Sequence, residues 1–514
     1  MFGGLLRIYH IDRAPIWIDE AYTILTASQS FTDIIAAQRG DSSPPLFYFL
    51  LHLWMRLVGD GETAARLSSA AAGTALIAGV YVVGRRLISH EAGLAAALIM
   101  AVSPIQVYYA QQVRMYTLLP LLALASVYFL VRFMHERRWG HFFLYELATV
   151  ACLYTHNYAM FLLAAEAALV AASGGLWKRR GDWVAMAAVA AAGYLPWLPV
   201  FLQQLDNTGP FAWYGVFWQQ WGPIGSALRT LQSFAIGGAQ PPYVGLQASV
   251  LGGVLPTWTF GVLALMGGIS MARRVRRDGA ITALWAPTMV VVPLLVSALS
   301  SLVLSPNYAP GRVDQMVFPA YCLMVGAGVR SVRWRPARLM GAGLILALGG
   351  ITMREHHRRD YRGEDRDLAR FVAHQAAPGE PVLCTSLTRA SLTYYLRRWS
   401  AGRPLYSFPR PTAGHLGYQH DAALLADPAG LYAEADTVLD DLRQRVGPNG
   451  SFTVVLALLE VNGALMAALE RAADLQLQER PAQFRQTVTG VPVNVLRFRV
   501  ADGHGAAGSN GMQD

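Results

Sequence analysis

The stretch Ile281–Leu304, ITALWAPTMVVVPLLVSALSSLVL, runs without a single charged side chain. A membrane-spanning helix needs about 20 consecutive, mostly apolar residues, and this stretch is long enough to supply them. Only 15% of the whole chain is charged and 54% is hydrophobic, whereas a soluble domain carries about a quarter charged residues. Polarity becomes ordinary after Arg354. The sequence therefore predicts a polytopic α-helical membrane protein with a C-terminal soluble part.

Nine further apolar stretches of similar kind raise the expected number of spans to ten. Phe2–Ile11 has the composition of the end of a span but is too short to cross, which leaves open an eleventh span lost from the N-terminus. The ten predicted spans are residues 66–84, 92–110, 115–133, 141–155, 157–176, 183–203, 246–270, 281–304, 313–329 and 337–353.

Clusters of arginine and lysine lie between the apolar stretches, at every second junction, and basic loops favour the cytoplasmic side. The alternation puts residues 16–65, 204–245, 305–312 and everything after Arg354 outside the cytoplasm, although basic Arg354–Arg362 runs against it. We expect a multi-pass protein of the plasma (inner) membrane. The net charge of +9 comes from these clusters, so it indicates no nucleic-acid partner. The clusters are Arg85–Arg86, Arg137–Arg138, Lys178–Arg180, Arg273–Arg277 and Arg330–Arg338.

The segments outside the predicted spans differ in character. Residues 31–38 and 46–58 are amphipathic and aromatic, as is typical of helices lying in the membrane interface, and residues 204–245 are rich in tryptophan. After residue 354, helical and strand-like segments alternate, which predicts a small α/β domain. We therefore predict a transmembrane domain over 1–353, an extracytoplasmic α/β domain over 354–500, and a disordered tail over 501–514.

The strongest local signal is Trp17-Ile18-Asp19-Glu20-Ala21-Tyr22, which sets two adjacent carboxylates at the membrane edge. Ionisable groups at membrane depth are unfavourable unless paired or hydrated, so they usually serve a function. A carboxylate here could act as a general base toward an acceptor hydroxyl. The alternative is a solvated helix start with Asp19 as its N-cap.

Two arginines lie on the side of the membrane that normally lacks them. Arg114 and Arg312 each occupy an outer junction, and guanidinium groups bind phosphate through paired hydrogen bonds without losing their proton. The alternatives are a snorkelling Arg114 and an Arg312 paired with Asp314. His156 lies at a third outer junction, where a satisfied interfacial histidine is the alternative to a functional one. The derived topology predicts that Asp19, Glu20 and these three residues share one membrane face.

Six motifs follow one another in an order that resembles the bacterial PMT-type glycosyltransferases. These belong to the GT-C superfamily, which includes protein O-mannosyltransferases and the aminoarabinose transferase that modifies lipid A. The likeness covers about residues 5–330. The matching segments are Leu6–Tyr9 with Trp17–Tyr22, Pro44–Tyr48 with His52–Trp54, Glu62–Ser68, Tyr109–Tyr116, Tyr154–Tyr158 and Asn307–Arg312.

The resemblance implies roles for individual residues. Asp19 would be the catalytic acid/base residue, and Glu20 would support it or help position a metal where relatives use one. Arg114 and Arg312 would hold the polyprenyl phosphate of the donor. No cofactor is required by these motifs, although a divalent metal stays open. Further residues of the motifs would line the cavity, namely Tyr22, His52, Arg66, Tyr116, His156 and Tyr308.

The resemblance implies a hexosyl- or pentosyltransferase that uses a lipid-phosphate-linked sugar. An inverting transfer to a hydroxyl of a protein, lipid or glycan acceptor would take place on the outer face. The main alternative is a transporter or flippase of a lipid-linked substrate, which should show inverted repeats with broken helices. A membrane receptor with a ligand-binding tail is a second alternative, but it leaves Asp19-Glu20 and Arg114 without a role.

Overall fold

A computed structural model provides the structure of the chain. It describes residues 1–173, 180–206, 212–235, 254–278, 281–303, 306–358, 363–400, 402–414, 416, 424–478, 481–486 and 490–501. Internal contacts divide the chain into two units. The membrane unit comprises Met1–Ile11 and Gln29–Asp360, and the C-terminal unit comprises Asp12–Ser28 and Tyr361–Asp514.

Helices dominate the described residues, and short 3₁₀ helices cover Ile281–Leu284, Val313–Val317 and Glu460–Asn462. In chain order the helices are α1 (Phe2–Ile8), α2 (Ile18–Ala27), α3 (Phe31–Arg39), α4 (Leu46–Val58), α5 (Glu62–Leu87), α6 (His90–Val102), α7 (Pro104–Ala110), α8 (Leu118–Glu136), α9 (Trp139–Leu153), α10 (Ala159–Ala172), α11 (Arg180–Tyr194), α12 (Leu198–Asp206), α13 (Ala212–Phe234), α14 (Val254–Asp278), α15 (Trp285–Val303), α16 (Phe318–Ser331), α17 (Arg335–Arg358), α18 (Asp365–Gln375), α19 (Thr388–Trp399), α20 (Pro411–Gly414), α21 (Pro428–Val446) and α22 (Gly463–Arg471).

The helices of the membrane unit follow the predicted spans closely, but fewer of them are long enough to cross a bilayer alone. Within the described ranges, five helices have the length and apolarity of a span, and seven do if two bent pairs each count as one. This count is lower than the ten predicted spans because α9, α10 and α16, which correspond to three of them, have only 15, 14 and 14 residues.

Two of the predicted spans are bent sharply. The axes of α6 and α7 meet at 62°, and those of α11 and α12 at 75°. Pro104 begins α7, and Pro196 lies in the break between α11 and α12. A proline removes a backbone donor and clashes with the preceding turn, so it ends or kinks a helix. The residues that follow the first bend and α7 contain Arg114, one of the two arginines that the sequence predicts to bind phosphate.

The core of the membrane unit is built by α5, α6, α8, α10, α14, α15 and α16 packing side by side. Close approach is possible because small residues lie at the crossings, as in many membrane helix pairs. A Cβ at Gly267 of α14 would overlap the carbonyl oxygen of Met324 in α16. The side chains between the helices are apolar and fully buried, for example Leu76, Ile99, Leu119, Leu162 and Phe318.

The two amphipathic helices α3 and α4 belong to the membrane unit. Leu46 N–H donates to the Tyr154 carbonyl, and the Asn157 side-chain amide donates to the Ser42 carbonyl. These bonds tie the segment around α3 and α4 to the junction between α9 and α10. Within the predicted 204–245 loop, residues 212–234 form a helix, with non-helical φ/ψ at Gly222 (φ 62°). Residues 236–253 lie outside the described ranges.

The C-terminal unit contains a six-stranded mixed sheet in the order β2-β1-β3-β6-β4, with β5 also paired to β6. β1 lies parallel to β2 and β3, while β6 runs antiparallel to its neighbours. Helices α21 and α22 pack together, and their apolar side chains join those of the central strands in one core. The strands are β1 (Val382–Thr385), β2 (Leu405–Phe408), β3 (Ser451–Ala457), β4 (Leu475–Leu477), β5 (Ala482–Arg485) and β6 (Pro492–Val500).

The α/β character of this unit confirms the fold class predicted from the sequence. The sequence predicted that residues 16–65 form an outer loop of the membrane domain. By their contacts, however, residues 12–28 belong to the C-terminal unit. The predicted disordered tail, residues 501–514, lies outside the described residues except for Ala501.

Candidate functional site

The first predicted arginine is held by the turn that follows α7. Arg114 is buried, and its carbonyl oxygen accepts a hydrogen bond of 3.2 Å from the Ser69 hydroxyl of α5. The Thr117 hydroxyl donates in return to the Ser69 carbonyl at 3.0 Å. These two bonds hold the segment from Arg114 to Thr117 against α5.

The second arginine follows a tight turn in the loop between α15 and α16. Gly311 has a φ of +76°, a conformation that residues with a side chain rarely adopt. Its N–H donates to Asp314 Oδ2 at 2.8 Å, and its carbonyl oxygen accepts from the Tyr109 hydroxyl at 2.7 Å. The loop that presents Arg312 is therefore anchored to α7, which leads into the turn containing Arg114.

Both arginines contact the ring of Tyr116. Arg312 Nε donates to the Tyr116 hydroxyl at 2.7 Å, and its Cζ lies 5.3 Å from the ring centroid. Arg114 Cζ lies 5.8 Å from the same centroid. Guanidinium groups at this distance are attracted by the negative face of an aromatic ring. Two positive charges that are almost 200 residues apart in the chain thus share one aromatic contact.

His156 belongs to the same cluster. Its ring centroid lies 6.2 Å from that of Tyr116, and its Nδ1 accepts a hydrogen bond of 3.2 Å from the Tyr158 N–H. Burial lowers the pKa of His156 to about 3, and the positive charges of Arg114 and Arg312 contribute in the same direction. The histidine is therefore neutral at physiological pH. An anionic ligand bound beside it would offset the positive charges of Arg114 and Arg312.

The predicted cavity residues Tyr308 and Arg66 make other hydrogen bonds within the membrane unit. The Tyr308 hydroxyl shares a 2.6 Å hydrogen bond with Thr230, which also bonds Asp314. Arg66 is buried on α5, one turn before Ser69, and donates to the Ile11 carbonyl at 2.9 Å. Through Thr230 and Asp314, Tyr308 is linked to the loop that carries Arg312.

His52 lies in a different place within the membrane unit. Its ring packs against that of Phe31, with centroids 4.8 Å apart, between the amphipathic helices α3 and α4. The structure therefore groups Arg114, Tyr116, His156 and Arg312, whereas His52 belongs to the contact between the two amphipathic helices.

The acidic pair opens α2 in the C-terminal unit. Trp17 is the N-cap and makes no side-chain capping bond, so Asp19 lies inside the helix and is not its cap. Asp19 is partly exposed, whereas Glu20 and Tyr22 are buried. Of the two carboxylate residues, Asp19 is therefore the more accessible to solvent. That Asp19 shares a pocket with the arginines stays a prediction of the sequence.

Metal ligands do not cluster in the part of the chain that the structure describes. No group of three or more histidine, cysteine, aspartate or glutamate side chains there has the geometry to hold a metal ion.

Some residues that shape the site were missed in the sequence. Tyr109 and Thr230 bind the loop of Arg312 through Gly311 and Asp314. Tyr109 lies within the matched segment Tyr109–Tyr116, so its position in that motif was a usable signal. Thr230 lies in an ordinary-looking part of α13, and nothing in its local sequence marks it.

Comparison with known proteins bears on the fold. A family model described as dolichyl-phosphate-mannose-protein mannosyltransferase matches residues 42–199. No curated protein sequence matches the chain. The structure of ArnT from Cupriavidus metallidurans bound to undecaprenyl phosphate is similar over 99% of this chain and 98% of that one, with 14% identity and a TM-score of 0.58. The apo oligosaccharyltransferase of Archaeoglobus fulgidus is similar over 88% of this chain and 68% of that one, with 10% identity and a TM-score of 0.52.

Proposed function

We propose that the chain is a PMT-type glycosyltransferase of the GT-C superfamily, and that it moves a sugar from a polyprenyl phosphate to a hydroxyl acceptor at the non-cytoplasmic face of the membrane. The structurally similar ArnT was solved with undecaprenyl phosphate bound, which supports a donor of this class. The acceptor is a hydroxyl of a protein, a lipid or a glycan.

The meeting of Arg114 and Arg312 at the Tyr116 ring is the observation that carries the proposal. Two guanidinium groups in a partly desolvated place suit a phosphate, because each can donate two parallel hydrogen bonds to its oxygens. His156 stays neutral beside them, so it can donate from Nε2 without adding charge. The cluster therefore has the chemistry of a site for the phosphate of a lipid carrier.

The proposed reaction is a single inverting displacement. The acceptor oxygen attacks the anomeric carbon and forms the new glycosidic bond, while the bond from that carbon to the phosphate oxygen breaks. The electron pair leaves with the lipid phosphate, whose growing negative charge Arg114 and Arg312 stabilise. The acceptor proton passes to the Asp19 carboxylate. Charged hydrogen bonds contribute about 1.5–3 kcal/mol each, and they accelerate transfer only as far as they strengthen in the transition state.

Asp19 is the better base of the acidic pair because its side chain is partly exposed, whereas that of Glu20 is buried beside it. Successive residues on a helix point about 100° apart, so one carboxylate can face substrate while the next faces the protein interior. We assign Glu20 a supporting role within the protein interior.

The test is a transfer assay in detergent with a panel of polyprenyl-phosphate sugars. Asp19→Asn should lower the rate of transfer to a small residual value while leaving expression and membrane insertion intact. Arg114→Ala should raise the donor concentration needed for half-maximal rate far more than the acceptor concentration. Arg330→Ala serves as the control, because Arg330 is exposed and makes only a 3.9 Å surface contact with Glu91, which is worth little.

Three results would contradict the proposal. Transfer at the wild-type rate by the Asp19→Asn variant removes Asp19 as the base. Unchanged donor dependence in the Arg114→Ala variant removes the phosphate role of the arginine. A product that keeps the anomeric configuration of the donor, read by NMR, excludes a single displacement.

A flippase of a lipid-linked substrate remains the rival function, since the two bent helix pairs are the kind of broken helix that such transporters use. The rival predicts movement of a polyprenyl-phosphate sugar across a proteoliposome membrane without any acceptor. The proposed enzyme instead converts the donor to free polyprenyl phosphate only when acceptor is present.

A further inference from the structure

The segment that carries Asp19 and Glu20 is held by side chains near the other end of the chain. Residues 12–28 group with residues 361–514 by their contacts, and α2 packs along α19. The acidic pair lies in the first turn of α2, and its N-cap, Trp17, supplies no side-chain capping bond. The place of Asp19 therefore depends on how the backbone just before α2 is fixed.

That backbone is fixed by two residues of the C-terminal sequence. Ile16 N–H donates a buried hydrogen bond of 2.8 Å to the Tyr395 hydroxyl of α19. Arg366 Nη2 donates to the carbonyl oxygens of Asp12 at 2.8 Å and Ala14 at 3.3 Å. A buried backbone N–H must find a partner, and for Ile16 this partner is a side chain 379 residues later in the chain.

Tyr395 is itself held rigidly. Its side chain is buried, and its ring stacks on that of Trp399 one turn later, with centroids 5.0 Å apart and 23° between the planes. Its hydroxyl oxygen is thus a fixed point from which the start of α2 is positioned. At the C-terminal end of α2, the Ser28 hydroxyl accepts a hydrogen bond of 3.4 Å from Arg397 of α19.

We infer that Tyr395, assisted by Arg366, is a positioning residue for the Asp19 carboxylate. This inference rests on the proposed role of Asp19 as the base. It assigns α19 the task of positioning the base, because the hydrogen bond from Ile16 to Tyr395 holds the backbone just before α2.

The decisive variant is Tyr395→Phe, which keeps the ring and removes the hydroxyl. Displacement of a catalytic group by about 1 Å lowers rate by about a hundredfold, so we expect kcat to fall by between roughly tenfold and a hundredfold. The KM for the donor should stay unchanged, since the arginine cluster is not altered. Ser391→Ala is the matched control, because it removes from the same helix a buried hydroxyl that bonds Asp365 at 2.8 Å.

A double-mutant cycle separates positioning from general destabilisation. In the Asp19→Asn background, Tyr395→Phe should cause no further loss of the residual rate, because a residue that acts through Asp19 has nothing left to position. If Tyr395→Phe does not fold, Arg366→Ala and Arg366→Lys replace it. The alanine variant should lower kcat and the lysine variant, which keeps a donor, should restore part of it.

The outcomes distinguish this inference from the proposed function. An active Asp19→Asn enzyme overturns the assignment of the base. An inactive Asp19→Asn enzyme together with a Tyr395→Phe enzyme of wild-type kcat overturns only the positioning role. An equal loss of kcat in Ser391→Ala and Tyr395→Phe likewise overturns it, since the effect is then one of stability.

Discussion

Replacing Tyr116 by phenylalanine tests the arginine cluster with a change of one oxygen atom. The variant keeps the ring that lies 5.3 Å from Arg312 Cζ and 5.8 Å from Arg114 Cζ, but it removes the acceptor of the 2.7 Å bond from Arg312 Nε. A hydrogen bond to a charged group contributes about 1.5–3 kcal/mol. The lower end applies here, because Arg312 is partly exposed and water can replace the lost acceptor.

About 1.5 kcal/mol corresponds to roughly a tenfold change in rate or equilibrium constant. We therefore expect kcat/KM for the donor to fall about tenfold in Tyr116→Phe, while the KM for the acceptor is unchanged. Tyr116→Leu also removes the ring, and the loss of two cation–π contacts of about 0.5–2 kcal/mol each should lower kcat/KM by roughly a further tenfold.

The assay is the initial rate of transfer at several donor concentrations in detergent. Tyr128→Phe is the matched control, because the Tyr128 hydroxyl accepts from Arg132 Nη1 at 3.0 Å and Arg132 Cζ lies 5.7 Å from its ring, in a pair that takes no part in the proposed site. A Tyr116→Phe enzyme with wild-type donor dependence would refute the reasoning. An equal loss in Tyr128→Phe would refute it as well, because the effect would then be general.

Two further predictions concern helix packing and acid stability. Gly267→Val should sharply lower the melting temperature in detergent, because a Cβ at Gly267 would overlap the Met324 carbonyl, whereas Gly261→Val on the same helix has open space and should change it little; equal shifts would contradict this packing. Burial lowers the pKa of His156 to about 3 from an ordinary 6.5, so the unfolded chain binds more protons between these values and stability falls as the pH drops through that window. His156→Gln should therefore show a smaller drop in melting temperature between pH 7 and pH 4 than the wild type, and parallel curves would contradict the assignment.

The local sequence predicted the helices and strands of both units well, because the pattern of apolar residues along a segment depends on the helix or strand that buries them. The apolar stretch 281–304 contains α15, and the part after residue 354, predicted to alternate between helices and strands, contains α18, β1, α19 and β3. The number of spans was less predictable. Residues 141–155 and 157–176 are apolar enough to read as spans, yet the turn at Tyr154–Tyr158 limits α9 and α10 to 15 and 14 residues.

The candidate site was predictable as a set of residue types but not as an arrangement. Arg114 and Arg312 were identified because arginine is unusual at outer junctions. Their common partner, Tyr116, could not be identified as such, since the contact joins segments almost 200 residues apart. The same holds for Thr230, whose bond to Asp314 supports the Arg312 loop without any mark in the sequence around it.

The sequence by itself determined that the chain is a membrane protein of many helices with an α/β part at its end. The length of each apolar segment and the positions of the charged residues are local properties, and they differ between segments that face lipid and segments that face water. Only the tertiary structure decided that the start of α2 is held by Tyr395 and that two arginines meet at Tyr116. A hydrogen bond between distant residues depends on how the whole chain packs, and local composition records that a side chain is buried without recording which partner it meets.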